Sequence, residues 1–267
     1  MSDLPLGLDR LLEAPELEEA LSGKRAWILA LDYDGTLAPL RPERDQAFPY
    51  AGVRDVLDRL PVAGPSRLVL ISGREADHLS RLLGLVPMPE TWGCHGAQRT
   101  APGGTATVAA LTVEQEQALE RARSLADDPR VTEVKPCGVA FHWRGLAPQA
   151  RERLETVVAP RLSTLAEASG LELRPFDGGL ELRLPGYDKG AAIRTLMAEN
   201  PQALVVFLGD DLTDEDAFLA LGEQGIGVLV RGERRPTAAK YWITPPQELL
   251  VLLGRFAGRT LPYGARR

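Results

Sequence analysis

Two aspartates separated by one residue follow an apolar run near the start of the chain. Residues 26–30 are all apolar and predict a buried strand, and Asp32 and Asp34 come directly after it. Alternate residues of a strand point to the same side, and open α/β sheets bind ligands at the carboxyl ends of their strands. Two close carboxylates repel each other unless a cation lies between them or one is protonated. The spacing therefore predicts a site for a hard cation such as Mg²⁺, and an acidic surface turn is the structural alternative.

Three further segments supply other reactive groups. Ser72 follows one predicted strand, Lys189 lies at a predicted helix start, and Asp210 and Asp214 follow another predicted strand. Taken singly, these residues have ordinary structural roles, as a turn serine, a solvated lysine and an acidic helix N-terminus. Together with the first pair, they form the set of groups that phosphoryl transfer needs, in which positioning and charge neutralisation dominate.

The roles follow from the chemistry of each side chain. We expect Asp32 to be the nucleophile that forms an aspartyl phosphate. Asp34 then protonates the leaving alkoxide and afterwards deprotonates the attacking water. Ser72 and Lys189 are expected to hold the phosphoryl oxygens. The expected Mg²⁺ ligands are all oxygen donors: Asp32, the backbone carbonyl of Asp34, Asp210, and Asp214 either directly or through water.

Composition excludes several other classes of protein. The formal net charge of the 267 residues is −6, which argues against a nucleic-acid-binding surface. No apolar run reaches the roughly 18 residues that span a bilayer. The two cysteines, Cys94 and Cys137, form no close metal or redox motif. We therefore expect a cytoplasmic protein with a small-molecule substrate, no membrane contact and no evident obligate protein partner.

The elements that must position these groups fall into two patterns. Strands and helices alternate before residue 102 and after residue 186, as in a parallel α/β sheet. This part includes one amphipathic helix predicted over 8–22. The segment between them predicts the order αββαββ, with alternating strands suited to a sheet exposed on one face. The turns at 102–104 (Pro-Gly-Gly) and 185–186 (Pro-Gly) are the predicted hinges, which open the site and close it on substrate.

The predicted fold is therefore α/β with a discontinuous catalytic core. The core comprises residues 1–103 and 185–267, and residues 104–184 form an inserted α+β cap domain for substrate recognition.

A resemblance to a known superfamily rests on these same segments. The four motifs of haloacid dehalogenase (HAD)-type phosphatases are similar to residues 32–36 (Asp-Tyr-Asp-Gly-Thr), 72–74 (Ser-Gly-Arg), 189–190 (Lys-Gly) and 209–215 (Gly-Asp-Asp-Leu-Thr-Asp-Glu). The last form resembles the trehalose-6-phosphate phosphatases in particular. The resemblance implies a Rossmann-like HAD core with a C2-type cap, Mg²⁺ as cofactor, and hydrolysis of a sugar phosphate, with trehalose 6-phosphate as the leading hypothesis.

The resemblance also implies which residues contact the substrate. In the cap, Glu133, Lys135 and Glu181 match charged positions that recognise sugar hydroxyls in that family. Solvated charges on an open sheet face are the structural alternative. His142 and Arg144 are expected to be structural or to face the phosphate. The remaining expected substrate contacts come from the core segments: Ser72, Gly73, Arg74, His95 and Asp211.

One position departs from the family pattern. The family often has His-Gly-Ala-Glu where residues 95–98 read His-Gly-Ala-Gln, so Gln98 keeps hydrogen-bonding capacity but lacks the charge.

Three other functions remain open from the sequence. A phosphatase for mannosyl- or glucosyl-3-phosphoglycerate would share the core and the type of cap. A sugar phosphomutase also uses an Asp-x-Asp-Gly-Thr loop. A phospho-accepting signalling domain combines similar residues, but the motif order differs and a cap has no role there.

Overall fold

The computed structural model describes residues 4–126, 128, 131–176 and 178–258, and the chain forms two units. Of the described residues, the core unit contains 4–41, 45–106 and 188–258. The inserted unit contains Pro42–Arg44 and Thr107–Tyr187.

The strands of both units are short and, in the core, mostly buried. In chain order they are β1 (Trp27–Leu31), β2 (Arg67–Ile71), β3 (Glu90–Gly93), β4 (Gln98–Thr100), β5 (Ala106–Val108), β6 (Thr132–Lys135), β7 (Gly138–His142), β8 (Glu172–Phe176), β9 (Gly179–Arg183), β10 (Leu204–Gly209), β11 (Ile226–Val230) and β12 (Tyr241–Ile243).

The structure describes ten α-helices, most of them between strands of the two sheets. In chain order they are α1 (Leu8–Leu12), α2 (Pro15–Leu21), α3 (Val53–Leu57), α4 (Ala76–Leu83), α5 (Val113–Arg123), α6 (Pro148–Arg153), α7 (Ala159–Ser169), α8 (Lys189–Glu199), α9 (Glu215–Leu221) and α10 (Gln247–Phe256). A π-helical turn, Leu154–Val158, connects α6 to α7. None of the described helices is both long and apolar enough to cross a bilayer.

The core sheet has the strand order β12-β11-β10-β1-β2-β3-β4-β5. Its strands pair in parallel from β12 to β3, and β4 pairs antiparallel with β3. All five residues of β1 are buried, which explains their continuous apolar run, since a central parallel strand is covered on both faces. Leu31 is in register with Leu70 and Leu208. The residues that follow these strands therefore emerge at one edge of the sheet.

The inserted unit contains a separate antiparallel sheet with the strand order β6-β7-β9-β8. In its register, Glu133 lies opposite Ala140, and Ala140 lies opposite Glu181. Because alternate residues share a face, Lys135 lies on the same face as Glu133. The other face carries the buried side chains of Val139, Phe141 and Leu182. One face of this sheet is thus charged, and the other is part of an apolar core.

This architecture confirms the predicted fold class, a mostly parallel α/β core sheet with an inserted αββαββ segment. The single helix predicted over residues 8–22 is wrong, because the structure has two helices there. Pro15 occupies the first turn of α2. Proline has no N–H to continue a preceding helix and fits best at a helix start. The strands β4, β5 and β12 were not predicted.

Candidate active site

Lys189 lies between two buried aspartates of the core unit. Its Nζ donates to Asp32 Oδ1 at 2.6 Å and to Asp214 Oδ1 at 2.6 Å, and all three side chains are buried. Lys189 begins α8, whose N-cap Asp188 accepts a hydrogen bond from the backbone N–H of Ala191 at 2.6 Å. The helix start thus fixes the lysine, and the lysine compensates charges that would be costly to bury alone.

The loop after β10 is organised around Asp214. Its Oδ2 accepts hydrogen bonds from the backbone N–H groups of Asp210 and Asp211, both at 2.9 Å. The Asp211 side chain in turn accepts from the N–H of Leu212 at 2.7 Å and from the backbone N–H of Asp214, and the second of these bonds completes a reciprocal capping box. A Cβ at position 209 would overlap the Asp214 carboxylate, so Gly209 is required. The acidic residues of this segment therefore form a capped turn, and the turn holds the backbone of Asp210 in place.

Three carboxylates form a group able to hold a cation. One oxygen each from Asp32, Asp210 and Asp214 lies within 4.8 Å of the others. Asp210 Oδ1 is buried without a hydrogen-bond partner, and a buried oxygen of this kind is costly unless a cation or donor meets it. Hard oxygen donors are also the ligands that Mg²⁺ prefers. The donor set therefore fits a divalent metal.

The electrostatics of the cluster also favour a cation. Burial, together with repulsion from Asp214 and opposed by Lys189, raises the pKa of Asp32 to about 7. Burial and the nearby Asp32 and Asp214 raise the pKa of Asp210 well above its ordinary value. A bound cation would stabilise both carboxylates in their ionised form.

The turn after β1 depends on Gly35. Its φ of +83° lies in the left-handed region, and a Cβ there would overlap the Asp210 carboxylate. Glycine meets both requirements because it has no Cβ. The turn is closed by a hydrogen bond from the Gly35 N–H to the carbonyl of Ala38 at 2.8 Å. Within this turn, Asp34 is half-buried, whereas Asp32 is buried.

Ser72 is held on three sides. Its N–H donates to the carbonyl of Trp92 at 2.9 Å, its carbonyl accepts from the N–H of His95 at 2.9 Å, and its Oγ accepts from the N–H of Arg74 at 3.2 Å. His95 has a left-handed φ of +57°, and a Cβ on Gly73 would lie 2.6 Å from its Nε2. The loop after β2 is therefore fixed by the turn after β3.

Gln98 acts on the backbone of the core unit. Its Oε1 accepts from the N–H of Ala76 at 2.8 Å, at the first residue of α4, and the side chain is buried. An amide oxygen satisfies one of the N–H groups that every helix start leaves unpaired. The side chain at position 98 therefore stabilises the start of α4. The glutamate of the family pattern has an equivalent oxygen for the same hydrogen bond.

Arg235 was not identified from the sequence, and Glu215 was noted there only as the last residue of the fourth motif, without a role. Arg235 Nη2 donates to the carbonyl of Asp211 at 2.8 Å, and Arg235 Nη1 pairs with Glu215. Glu215 also accepts from the N–H of Ala238 at 2.7 Å and from Thr237 Oγ1 at 2.8 Å. The segment after β11 therefore buttresses the loop that carries Asp210. No motif links these two segments, so only the fold reveals the contact.

In the inserted unit, the charged sheet face is paired internally. Lys135 Nζ donates to Glu181 Oε1 at 2.8 Å, and the two side chains are 5% and 4% exposed. Glu133 Oε2 lies 2.6 Å from Arg44 Nη1 and 2.9 Å from His142 Nε2. These residues are therefore not solvated surface charges. Arg44 was not identified from the sequence, because it lies about 90 residues from its partner, at the start of a short 3₁₀ helix, Arg44–Gln46.

Burial and charge act in opposite directions on Glu133. Burial opposes its ionised form, but Lys135, His142 and Arg44 together outweigh that effect and lower the pKa of the carboxyl. Glu133 is therefore held as a carboxylate.

Comparison with solved structures defines the class of fold. The chain is similar to a phosphatase of the HAD superfamily from Bacteroides thetaiotaomicron, at 16% identity, with a TM-score of 0.57 over 87% of this chain and 95% of that one. It is also similar to the C-terminal domain of trehalose-6-phosphate phosphatase from C. albicans, at 21% identity, with a TM-score of 0.77 over 96% of this chain and 99% of that one. The fold is that of a HAD-superfamily phosphatase.

Sequence comparison gives the family. The family model for trehalose-phosphatase matches residues 30–246. The trehalose-phosphate phosphatase of Mycobacterium marinum is 32% identical over 99% of this chain and 68% of its own length. The chain therefore belongs to the trehalose-phosphatase family, whose members are phosphoric monoester hydrolases.

Proposed function

We propose that the chain hydrolyses trehalose 6-phosphate to trehalose and phosphate through an aspartyl phosphate on Asp32. The observation that carries the chemistry is the buried lysine bridge from Asp32 to Asp214, beside the unpartnered oxygen of Asp210. The relatives named above and the family membership support the substrate.

Two carboxylates share the two steps of the reaction. In the first step, an oxygen of Asp32 forms a bond to phosphorus while the bond from phosphorus to the sugar oxygen breaks. The sugar oxygen takes a proton from Asp34 as it leaves. In the second, water attacks phosphorus, Asp34 takes the proton of the water, and the bond from phosphorus to Asp32 breaks. Phosphate and free sugar leave, and both side chains return to their starting states.

Ser72 and Lys189 have hydrogen-bond donors available for the phosphoryl group. Ser72 Oγ accepts a backbone N–H, so its own O–H remains to donate. Lys189 uses two N–H groups on Asp32 and Asp214, and a lysine ammonium has three. We propose that these groups hold the phosphoryl oxygens.

We propose Mg²⁺ as the cofactor, held by Asp32, Asp210 and the backbone carbonyl of Asp34. Both oxygens of Asp214 already accept hydrogen bonds, so we expect Asp214 to act through water and to orient its neighbours. When bound, Mg²⁺ neutralises charge on the phosphoryl oxygens.

We propose that residues 104–184 recognise the sugar, and that the rest of the chain is the catalytic core. The charged sheet face offers carboxylates and an ammonium from Glu133, Lys135 and Glu181, which suit sugar hydroxyls as hydrogen-bond partners. In the same proposal, Gly73, His95 and Asp211 lie near the substrate. Because Cys94 and Cys137 are buried thiols, we also propose a reducing, cytoplasmic location.

A substrate panel tests the assignment. Phosphate release is measured with trehalose 6-phosphate, glucose 6-phosphate, and mannosyl- and glucosyl-3-phosphoglycerate, in the presence of Mg²⁺. We expect kcat/KM for trehalose 6-phosphate to exceed the others by about 100-fold or more. Equal, slow rates on all four would refute the substrate, and preference for a glycosyl-phosphoglycerate would replace it. Intramolecular phosphate transfer would indicate a mutase.

Replacement of the nucleophile tests the mechanism. Asp32→Asn should abolish turnover while the protein remains folded, and no aspartyl phosphate should form. Asp55→Asn, at an exposed position of α3, is the matched control and should retain activity. Turnover by Asp32→Asn, or a long-lived aspartyl phosphate in the wild type without turnover, would refute the proposed catalytic cycle.

A further inference from the structure

We infer that Arg74 is a positioning residue that fixes the carboxylate of Asp34, an assignment that rests on the proposed function. Arg74 Nε donates to Asp34 Oδ2 at 2.6 Å, and Arg74 Nη2 donates to Asp34 Oδ1 at 2.7 Å. Two parallel bonds from one guanidinium set the plane of a carboxylate as well as its distance. The sequence predicts Arg74 as a substrate contact. In the structure, its guanidinium instead donates to Asp34, the proposed acid–base residue.

Asp34 needs such a partner because its side chain is the more exposed of the two. It is 34% exposed, whereas the Arg74 side chain is 7% exposed. A half-exposed aspartate on a turn has several rotamers, and only those that reach the leaving oxygen support proton transfer. The buried arginine therefore reduces the orientations that Asp34 samples.

Arg74 is itself fixed through its backbone. Its N–H donates to Ser72 Oγ at 3.2 Å, and its carbonyl accepts from the N–H of Cys94 at 3.0 Å. The residue that orients Asp34 is therefore attached to the loop that presents Ser72. Through this residue, the proposed phosphate-holding hydroxyl and the proposed acid–base carboxylate share one rigid support.

The guanidinium also lies beside Tyr33 and His78. Its carbon lies 5.6 Å from the centre of the Tyr33 ring, and Nη1 lies 3.2 Å from His78 Nε2. Tyr33 is anchored in turn, because its hydroxyl donates to the carbonyl of Ala47 at 2.6 Å. The planar fork of Arg74 therefore has a defined orientation before it meets Asp34.

The predicted effect of losing this support is kinetic. A misplacement of about 1 Å costs roughly 100-fold in rate, and it affects only those steps in which Asp34 moves a proton. With trehalose 6-phosphate, both steps need Asp34. With p-nitrophenyl phosphate, the nitrophenolate leaves without a proton, so only hydrolysis of the aspartyl phosphate needs Asp34.

Rapid mixing of Arg74→Met with p-nitrophenyl phosphate tests the inference. We expect a burst of about one nitrophenol per active site, formed at a rate near that of the wild type, and then a steady state slowed by about 10- to 100-fold. With trehalose 6-phosphate, kcat should fall by a similar factor while KM changes by less than about threefold. Arg81→Met, at an exposed position of α4, is the matched control and should behave as the wild type.

A second variant separates geometry from charge and guards against misfolding. Arg74→Lys keeps the charge and a long side chain but cannot donate as a planar fork. It should show the same burst and slow steady state as Arg74→Met. Full activity in Arg74→Lys would overturn the inference, because charge alone would then suffice.

A double mutant tests whether Arg74 acts through Asp34. Adding Arg74→Met to Asp34→Asn should lower kcat by less than about threefold beyond Asp34→Asn alone, since the two residues then act as one unit. Additive losses would overturn the inference. A raised KM with unchanged kcat, or a slowed burst on p-nitrophenyl phosphate, would also overturn it and assign Arg74 to substrate binding.

These outcomes are separate from the substrate assignment. A wild type that turns over p-nitrophenyl phosphate but not trehalose 6-phosphate would remove the proposed substrate. The burst comparison for Arg74 would still decide the inference, because it does not depend on the sugar.

Discussion

Lys189 Nζ and Asp32 Oδ1 are joined by a 2.6 Å hydrogen bond although the residues lie 157 positions apart in the chain. The same ammonium group bonds Asp214 at 2.6 Å. Three buried ionisable groups therefore form one unit, in which the single cation pairs with two carboxyl groups. Removal of that cation has consequences for folding as well as for catalysis.

Lys189→Met should abolish phosphatase activity and lower the free energy of unfolding by about 3–5 kcal/mol, because it leaves buried carboxylates without their partner. Denaturant unfolding at neutral pH measures the loss. Lys24→Met, at an exposed position, is the control and should be neutral. Wild-type stability in Lys189→Met would mean that the cluster is not charged as described.

Arg235→Met should weaken Mg²⁺ binding by about 10- to 100-fold, the usual effect of losing a group that orients metal ligands. The physical reason is the hydrogen bond from Arg235 to the carbonyl of Asp211, beside the proposed ligand Asp210. Isothermal titration calorimetry with Mg²⁺ measures this without any assay of activity. The neighbouring exposed Arg234→Met is the control. Equal affinities in the two variants would contradict the buttressing role.

Gly35→Ala should lose activity, because the added Cβ displaces the Asp210 carboxylate and the left-handed φ strains the backbone. Gly23→Ala isolates the strain, since Gly23 has a similar φ of +77° and open space around its Cβ position. We expect both variants to lose about 1–2 kcal/mol from strain, and only Gly35→Ala to lose turnover. Thermal unfolding and kcat measure the two effects. Normal turnover in Gly35→Ala would contradict the close approach.

Glu133 gives the inserted unit an acid-sensitive stability. Its pKa in the folded protein lies below the ordinary value of 4.5, so the unfolded chain binds the proton more tightly. Its contribution is therefore fully present above about pH 4.5 and is lost as the pH falls towards the folded pKa, by up to about 1.4 kcal/mol per pH unit. Denaturant midpoints between pH 7 and pH 3 should fall less steeply in Glu133→Gln than in the wild type. Glu167→Gln, at an exposed position, should follow the wild type, and identical slopes in all three proteins would refute this account.

The sequence predicts the parallel core well because its signal is local. The apolar run in β1 and the acidic residues after it identify a buried strand and its functional end without any long-range information. Residues 8–22 mislead because the helical spacing of apolar residues continues across Pro15, whereas the helical hydrogen bonding of the backbone is interrupted there. The strands β4 and β12 have only three residues each, which is too short for a periodic pattern.

The parts of the site that escape the sequence are contacts between distant segments. Arg235 lies in an irregular loop and Arg44 in a short 3₁₀ helix, and the course of both segments depends on the whole fold. Gln98 was identified as a departure from a family pattern, but its contact with the start of α4 is a backbone interaction that no motif records. The partners of Arg74, likewise, follow from the geometry of two loops.

The inserted unit is not a contiguous cassette. Three of its residues, Pro42–Arg44, come from an earlier part of the chain, and Arg44 pairs with Glu133 at 2.6 Å. A chimera that transplants only residues 107–187 onto another scaffold would therefore lack Arg44, the cation that pairs with Glu133 on the charged sheet face. Under the proposal that this unit recognises the sugar, a swap of the unit between relatives should include the short upstream segment.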